Sequence, residues 1–149
     1  MYRIVLHRNV AHRIGSLVID REWRVALHEA GHCVVARLLQ LPHCGAASIR
    51  PRGSSLGHAH FPVDRGPASI CALMAGAAVE VTAFGDYDRI GNTADAKLIE
   101  RFDGDIDALW DCALNLAQQY RSLIVRTAIK LRRARTLDGA SIDRIVLRG

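Results

Sequence analysis

His28, Glu29 and His32 fall in the string His28-Glu29-Ala30-Gly31-His32, an HExxH pattern in which every fixed position has a chemical use. On a helix, residues four apart lie about 6 Å along the axis and about 40° around it, so both imidazoles can reach one ion. Glu29 projects beside them, where its carboxylate can take a proton from an activated water and later deliver it to a leaving amine. The pattern therefore offers two metal ligands and a general base. With 7 His in 149 residues, chance can also assemble such a string, so its context has to carry part of the weight.

A catalytic zinc takes a third protein ligand and keeps one position open for water. Glu80, Asp86, Asp88, Asp95 and Glu100 are all chemically eligible, and spacing does not choose among them. Asp95 also has a plain structural use. With Asn92 as N-cap it stands at the third helical position, where a carboxylate is favoured by the helix dipole and can complete a capping box. Glu80 lies in an apolar run and needs a partner if it is buried. A histidine N–H behind the metal and an arginine are the two candidates. His58 and His60 alternate onto one face of an extended segment, where they could address substrate or a second ion, or simply be surface residues. Arg50 and Arg52, which flank Pro51, could receive a substrate carboxylate or serve as surface charge.

The elements that must position these groups are legible in outline. Residues 20–41 read as one amphipathic helix, capped by Asp20, with Glu22 in its first turn and no proline before Pro42. Gly31 costs about 1 kcal/mol relative to Ala inside a helix; its bare backbone could admit the third ligand or another helix at a packing notch. Upstream, 2–6 could form a short strand, and 11–19 fits neither period. After a turn at 42–45, segments 46–50 and 56–61 read as extended, broken by Pro51-Arg52-Gly53, giving a small sheet beside the helix. Residues 67–84 form a second helix with an apolar face and Gly85 as its stop. A third helix runs from 92 or 93 to 102. Residues 105–134 are helical but too long for one ordinary globular helix, so a break is expected within 119–122. Asp138-Gly139 reads as a turn and 140–147 as a terminal helix.

The expected fold class is mainly α (α+β) in a single domain. It divides into an N-terminal extension (1–19), a metal-site half (20–102) and a C-terminal helical part (103–149). A 149-residue chain with 50% hydrophobic composition has material for one core. No apolar run approaches the roughly 18 residues of a bilayer span, and 1–13 carry five basic or histidine side chains without a signal-peptide block, so a cytoplasmic protein without a membrane segment is expected. Cys33, Cys44, Cys71 and Cys112 form no CxxC pair and are read as buried reduced thiols. No GxxxxGK[ST] string occurs, which excludes ATP binding through a phosphate loop. The net charge of +5 is concentrated in 121–148, where eight basic side chains stand against two acidic ones. Without aromatic interleaving or a recognition motif this is a solvated face, and no nucleic-acid partner is expected.

From about residue 20 onward the sequence resembles the peptidase domain of the FtsH-type zinc metalloproteases, as a stand-alone domain without the AAA ATPase and membrane segments. Residues 27–35, LHEAGHCVV, resemble that family's HEAGH helix. Residues 48–57, SIRPRGSSLG, resemble its strand and PRGxxLG loop, and 74–80, MAGAAVE, its AGxxAE helix. Gly85-Asp86 and then Gly91-Asn92-Thr93-Ala94-Asp95 are similar to its FGD and TGAxND segments, and 128–137, AIKLRRARTL, to its closing helix. Ile90, Asn92 and Ala94 replace the threonine, alanine and asparagine of TGAxND.

The resemblance implies a helical zincin-type metallopeptidase domain with a small β-sheet, holding one Zn²⁺ through His28, His32 and Asp95, with Glu29 as the catalytic base. It implies peptide-bond hydrolysis in peptides or unfolded and flexible protein segments, independent of ATP because the engine is absent. The family's ring of six is built with help from the ATPase, which leaves the oligomeric state open. Two rivals stand beside this reading: a catalytically silent metal-binding adaptor, and a basic binding module for an acidic partner.

Overall fold

A computed structural model describes residues 10–41, 46–61, 63–64, 66–89 and 91–148, with side chains from residue 21 onward. The strand expected over 2–6 and the turn expected over 42–45 lie outside the described residues. The first helix, α1, spans Val10–Leu38. It starts ten residues before Asp20, which lies inside it and does not cap it. Residues 11–19, which fit neither period, are its first turns. Gly15 is their one poor helix former, and a single glycine costs about 1 kcal/mol, too little to stop a helix anchored downstream.

α1 also departs from the expected one-sided amphipathic helix, because every residue from 26 to 36 is buried. The cause is its central place: α2 (Pro67–Phe84) packs on one side, α5 (Arg121–Ala134) on another, and the sheet and α6 (Gly139–Leu147) fill in around its carboxy-terminal half. The motif helix is thus held by neighbours on all sides.

α2 begins with Pro67 at its first position and stops at Gly85, whose positive φ of 82° closes the helix as its N–H donates to the Val81 carbonyl. At 18 residues it is long and apolar enough to cross a membrane by length and composition. That corrects the expectation that no run approaches this length. Here residues 69–76 are buried without interruption, with α1 and α4 (Ile106–Gln119) packed against the helix. The break expected within 119–122 falls at Tyr120, between α4 and α5. α3 (Thr93–Ile99) ends three residues short of the expected 102.

Three short strands, β1 (Ala46–Ser48), β2 (His58–His60) and β3 (Thr136–Asp138), form an antiparallel sheet in the order β2-β1-β3, with Ala47 opposite both Ala59 and Leu137. β3 was not expected. It exists because Arg135, in the left-handed region at φ 67°, turns the chain out of α5 and offers its carbonyl to Ile49 N–H. Asp138 ends the strand and accepts from Ser141 N–H, capping α6. Part of the basic C-terminal segment is turned inward: Arg135 pairs with Glu22, and Arg132 lies over the Trp23 ring at 5.7 Å. On the other side, Arg37 of α1 pairs with Asp143 of α6.

α1 and α2 cross in close contact at Gly31. A Cβ added to Gly31 would stand 2.8 Å from Val79 Cγ2 and 2.9 Å from the Ala75 carbonyl oxygen. Of the two uses open to Gly31, the structure shows the packing notch. Alanine would gain about 1 kcal/mol in helix propensity, but overpacking against an immovable carbonyl costs about 1–3 kcal/mol. Gly31→Ala should therefore lower the urea midpoint of unfolding at unchanged slope; a raised midpoint would show that the helices are free to separate.

Candidate metal centre

His28 and His32 leave buried turns of α1 toward the same point, and Asp95 reaches it from the first turn of α3. His28 Nε2 and His32 Nε2 are 2.8 Å apart, and Asp95 Oδ2 lies 3.5 Å from the first and 3.2 Å from the second. Ligands about 2.0–2.2 Å from a tetrahedral ion stand roughly 3.3–3.6 Å from one another, so the triangle is close to one face of such a shell. This buried group can hold a metal ion.

The far side of each ring fixes what the near side can do. His32 Nδ1 is 2.8 Å from the Ala72 carbonyl oxygen, which can only accept, so Nδ1 carries the proton. His28 Nδ1 is 2.7 Å from Glu80 Oε1, and donates to that carboxylate in the same way. In the neutral rings both Nε2 atoms then present lone pairs toward each other and toward an anionic oxygen. Three acceptors meeting at one point need a cation between them, either a proton or a metal ion. With a proton there, burial works to lower the His28 pKa, but hydrogen bonds to Asp95 and Glu80 and the charges of Glu29 and Asp95 outweigh it and raise it to about 10. Burial likewise works to raise Asp95, yet the two histidines hold its carboxyl well below the usual carboxylate range.

Glu80 has both of the partners between which the sequence left a choice. Only 2% exposed, it accepts from His28 through Oε1, and its Oε2 lies 3.5 Å from Arg24 Nη1. Asp88 N–H donates to Oε2 at 2.8 Å, and Asn92 Nδ2 donates to Oε1 at 3.2 Å. One carboxylate thus orients the His28 ring and grips the turn that delivers Asp95. Asn92 is no side-chain N-cap; its amide bridges Glu80 and the Asp88 carbonyl. Asp95, for its part, is turned to the imidazoles. Among the other eligible carboxylates, Asp86 pairs with Arg24 at 2.5 Å, while Asp88 and Glu100 do not join the metal group.

Two glycines complete the site. A Cβ on Gly76 of α2 would fall 2.5 Å from His28 Cε1 and 2.6 Å from His32 Nε2, so both rings lie directly on its backbone. A Cβ on Gly57 would meet Glu29 Oε1 at 2.7 Å, which brings the chain just before β2 against the Glu29 carboxylate. At the other end of β2, the Phe61 ring is 5.9 Å from that of His32. Sequence reasoning missed Gly76, Gly57 and Arg24. The MAGAAVE string contained Gly76, but nothing local shows which helix a glycine faces.

Glu29 is 6% exposed, and burial, partly opposed by the charges of His28 and His32, raises its pKa. It and His28 open into a cleft of about 750 Å³ between α1, α3 and the segment leading into β2. A separate small cavity of about 150 Å³, lined by Trp23, Leu27, Phe84 and Ile124 among others, lies away from this chemistry. His58 and His60 share a face with ring centroids 4.9 Å apart, outside the metal group and the cleft lining. The His58 pKa is lowered by burial and by the charges of His60 and Arg52. Arg50 and Arg52 are exposed. Cys33 and Cys71 are buried, Cys112 is half-buried with its Sγ 3.6 Å from that of Cys71, and none of them enters the metal group. No family model matches this chain, and no curated protein matches it.

Asp95→Ala should weaken metal binding at least tenfold in a chelator competition, while Asp86→Ala stays near wild type. Gly76→Ala should do the same as Asp95→Ala by displacing both rings, without removing any ligand; unchanged affinity in Gly76→Ala would show that the rings have room to shift. With metal stripped, the raised His28 pKa gives stability that is fully present below pH 6.5 and lost as pH rises through about 10. The melting temperature of the metal-free protein should therefore fall across that window, and fall less in His28→Gln.

Proposed function

We propose that this chain is a zinc metallopeptidase that hydrolyses peptide bonds in peptides or in unfolded and flexible protein segments without ATP. The observation that carries the reading is the buried two-histidine, one-carboxylate group with Glu29 beside it, set at a cleft of about 750 Å³. Two imidazoles and one carboxylate suit zinc and leave a fourth position free. The ordered motifs shared with FtsH-type peptidases support the same assignment.

A zinc ion bound there supplies Lewis acidity to a scissile carbonyl and acidity to a water. Glu29 takes the proton of that water and passes it to the leaving amine, and a pKa raised by burial brings the carboxylate nearer to the working pH of a base that must also act as an acid. Glu80 keeps His28 in the tautomer whose Nε2 lone pair faces the ion, and the Ala72 carbonyl does the same for His32. Among the described residues β2 is an edge strand, paired with β1 on one side. A substrate strand added to its other side would run from Gly57, beside Glu29, toward Phe61, beside His32.

Glu29→Gln keeps the shape of the side chain and ligates nothing, so it should retain metal and fold while losing about 10²–10⁴-fold in cleavage of an unfolded protein. Wild-type cleavage should need no ATP and stop with chelator. Equal cleavage by Glu29→Gln would assign the activity to a contaminant. A metal-loaded wild type that is inert across a broad peptide library would favour the non-catalytic adaptor.

A further inference from the structure

The cleft carries more charge than peptide hydrolysis requires. Arg21 on α1, Lys97 on α3 and Arg101 just past α3 line it. All three are exposed, and among the described residues none of them forms an ion pair. The fourth cation, Arg24, is already held by Glu80 and Asp86. Of the carboxylates that reach the cleft, Glu80 is committed to His28 and Arg24, and Glu29 is buried as the base. Asp88 is the third acidic lining residue among those described, against three cations that form no ion pair.

The cations are also in register with the site. Residues 21, 25, 28 and 32 follow a helical stripe, so Arg21 lies on the face of α1 that carries the metal-facing histidines. The seven residues from His28 back to Arg21 span roughly 10 Å of helix axis, the length of about three residues of extended peptide. Lys97 and Arg101 line the same cleft from α3 and the residues just after it. Building on the peptidase reading, we infer that the cleft selects substrates with an acidic side chain about three residues from the scissile bond, held among Arg21, Lys97 and Arg101. A basic residue there would meet like charge on both walls.

The test uses zinc-loaded protein and quenched fluorescent peptides that differ only in carrying Glu, Gln or Lys at the third position on either side of the cleaved bond. The Glu peptide should exceed the Lys peptide about tenfold in kcat/KM on one side of the bond, and the gap should close in 0.5 M salt. Lys97→Glu should narrow that ratio two- to fivefold, and the triple variant Arg21→Glu, Lys97→Glu, Arg101→Glu should invert it. Equal kcat/KM for Glu and Lys peptides on both sides overturns the charge selection and leaves the peptidase reading standing. The converse is read by fluorescence anisotropy with Glu29→Gln, which needs no turnover. If wild type cleaves nothing but Glu29→Gln binds the Glu peptide tenfold more tightly than the Lys peptide, the peptidase reading falls and the acidic ligand stands. Equal binding of the two peptides overturns the acidic ligand.

Discussion

The site depends on one constraint: with both rings neutral, three hydrogen-bond acceptors, two imidazole nitrogens and a carboxylate oxygen, meet within 3.5 Å of one another with no donor among them. Such an arrangement is repulsive unless a cation occupies its centre, and the surrounding fold is arranged to preserve it. Glu80 and the Ala72 carbonyl take the outer ring protons, which keeps the inner lone pairs bare. Gly76 brings the α2 backbone under both rings, and Gly31 lets the same two helices close one turn away. The α1–α2 contact is thus both the centre of the packing and the floor of the site.

Glu80 shows how stability and chemistry are tied together. A lone buried carboxylate would be protonated or would cost several kcal/mol. This one meets a ring N–H, a guanidinium, a backbone N–H and an amide. The contacts that make its burial tolerable also orient His28 and deliver Asp95, so the residues behind the candidate ligands are also a piece of the core. Removing one partner strands the charge, whereas removing the charge frees Asp88 N–H and the Asn92 amide. Neither change stays local.

How much of this could be read in the sequence varies with the range of the interaction involved. The HExxH string, Pro67 and Gly85 around α2, and the break near Tyr120 are local signals, and each element lies where those signals place it. α1 was read as starting ten residues late and ending three late, and as too one-sided, because the burial of every face over 26–36 comes from α2, α5 and the sheet, which leave no trace in its periodicity. β3 was missed because a three-residue strand is created by its partner, Ser48 to Ala46, some 90 positions away. Among the candidate residues, His28, His32 and Asp95 are brought together, whereas His58 and His60 face each other elsewhere. Asn92 occupies the N-cap position expected of it, but the motif that it interrupts gives no hint that its side-chain amide closes onto Glu80 instead of capping the helix. Gly76 could not be singled out from a run of alanines without knowing which helix it meets.

The central claim is that His28, His32 and Asp95 share one zinc ion with an open fourth position. Zinc K-edge X-ray absorption on the purified, zinc-loaded protein addresses it without reference to any substrate. The account predicts four light-atom neighbours at about 2.0–2.1 Å, two of them showing imidazole multiple scattering, with one imidazole lost in His32→Ala. A sulfur shell near 2.3 Å, a six-oxygen shell, or a spectrum unchanged by His32→Ala would contradict it.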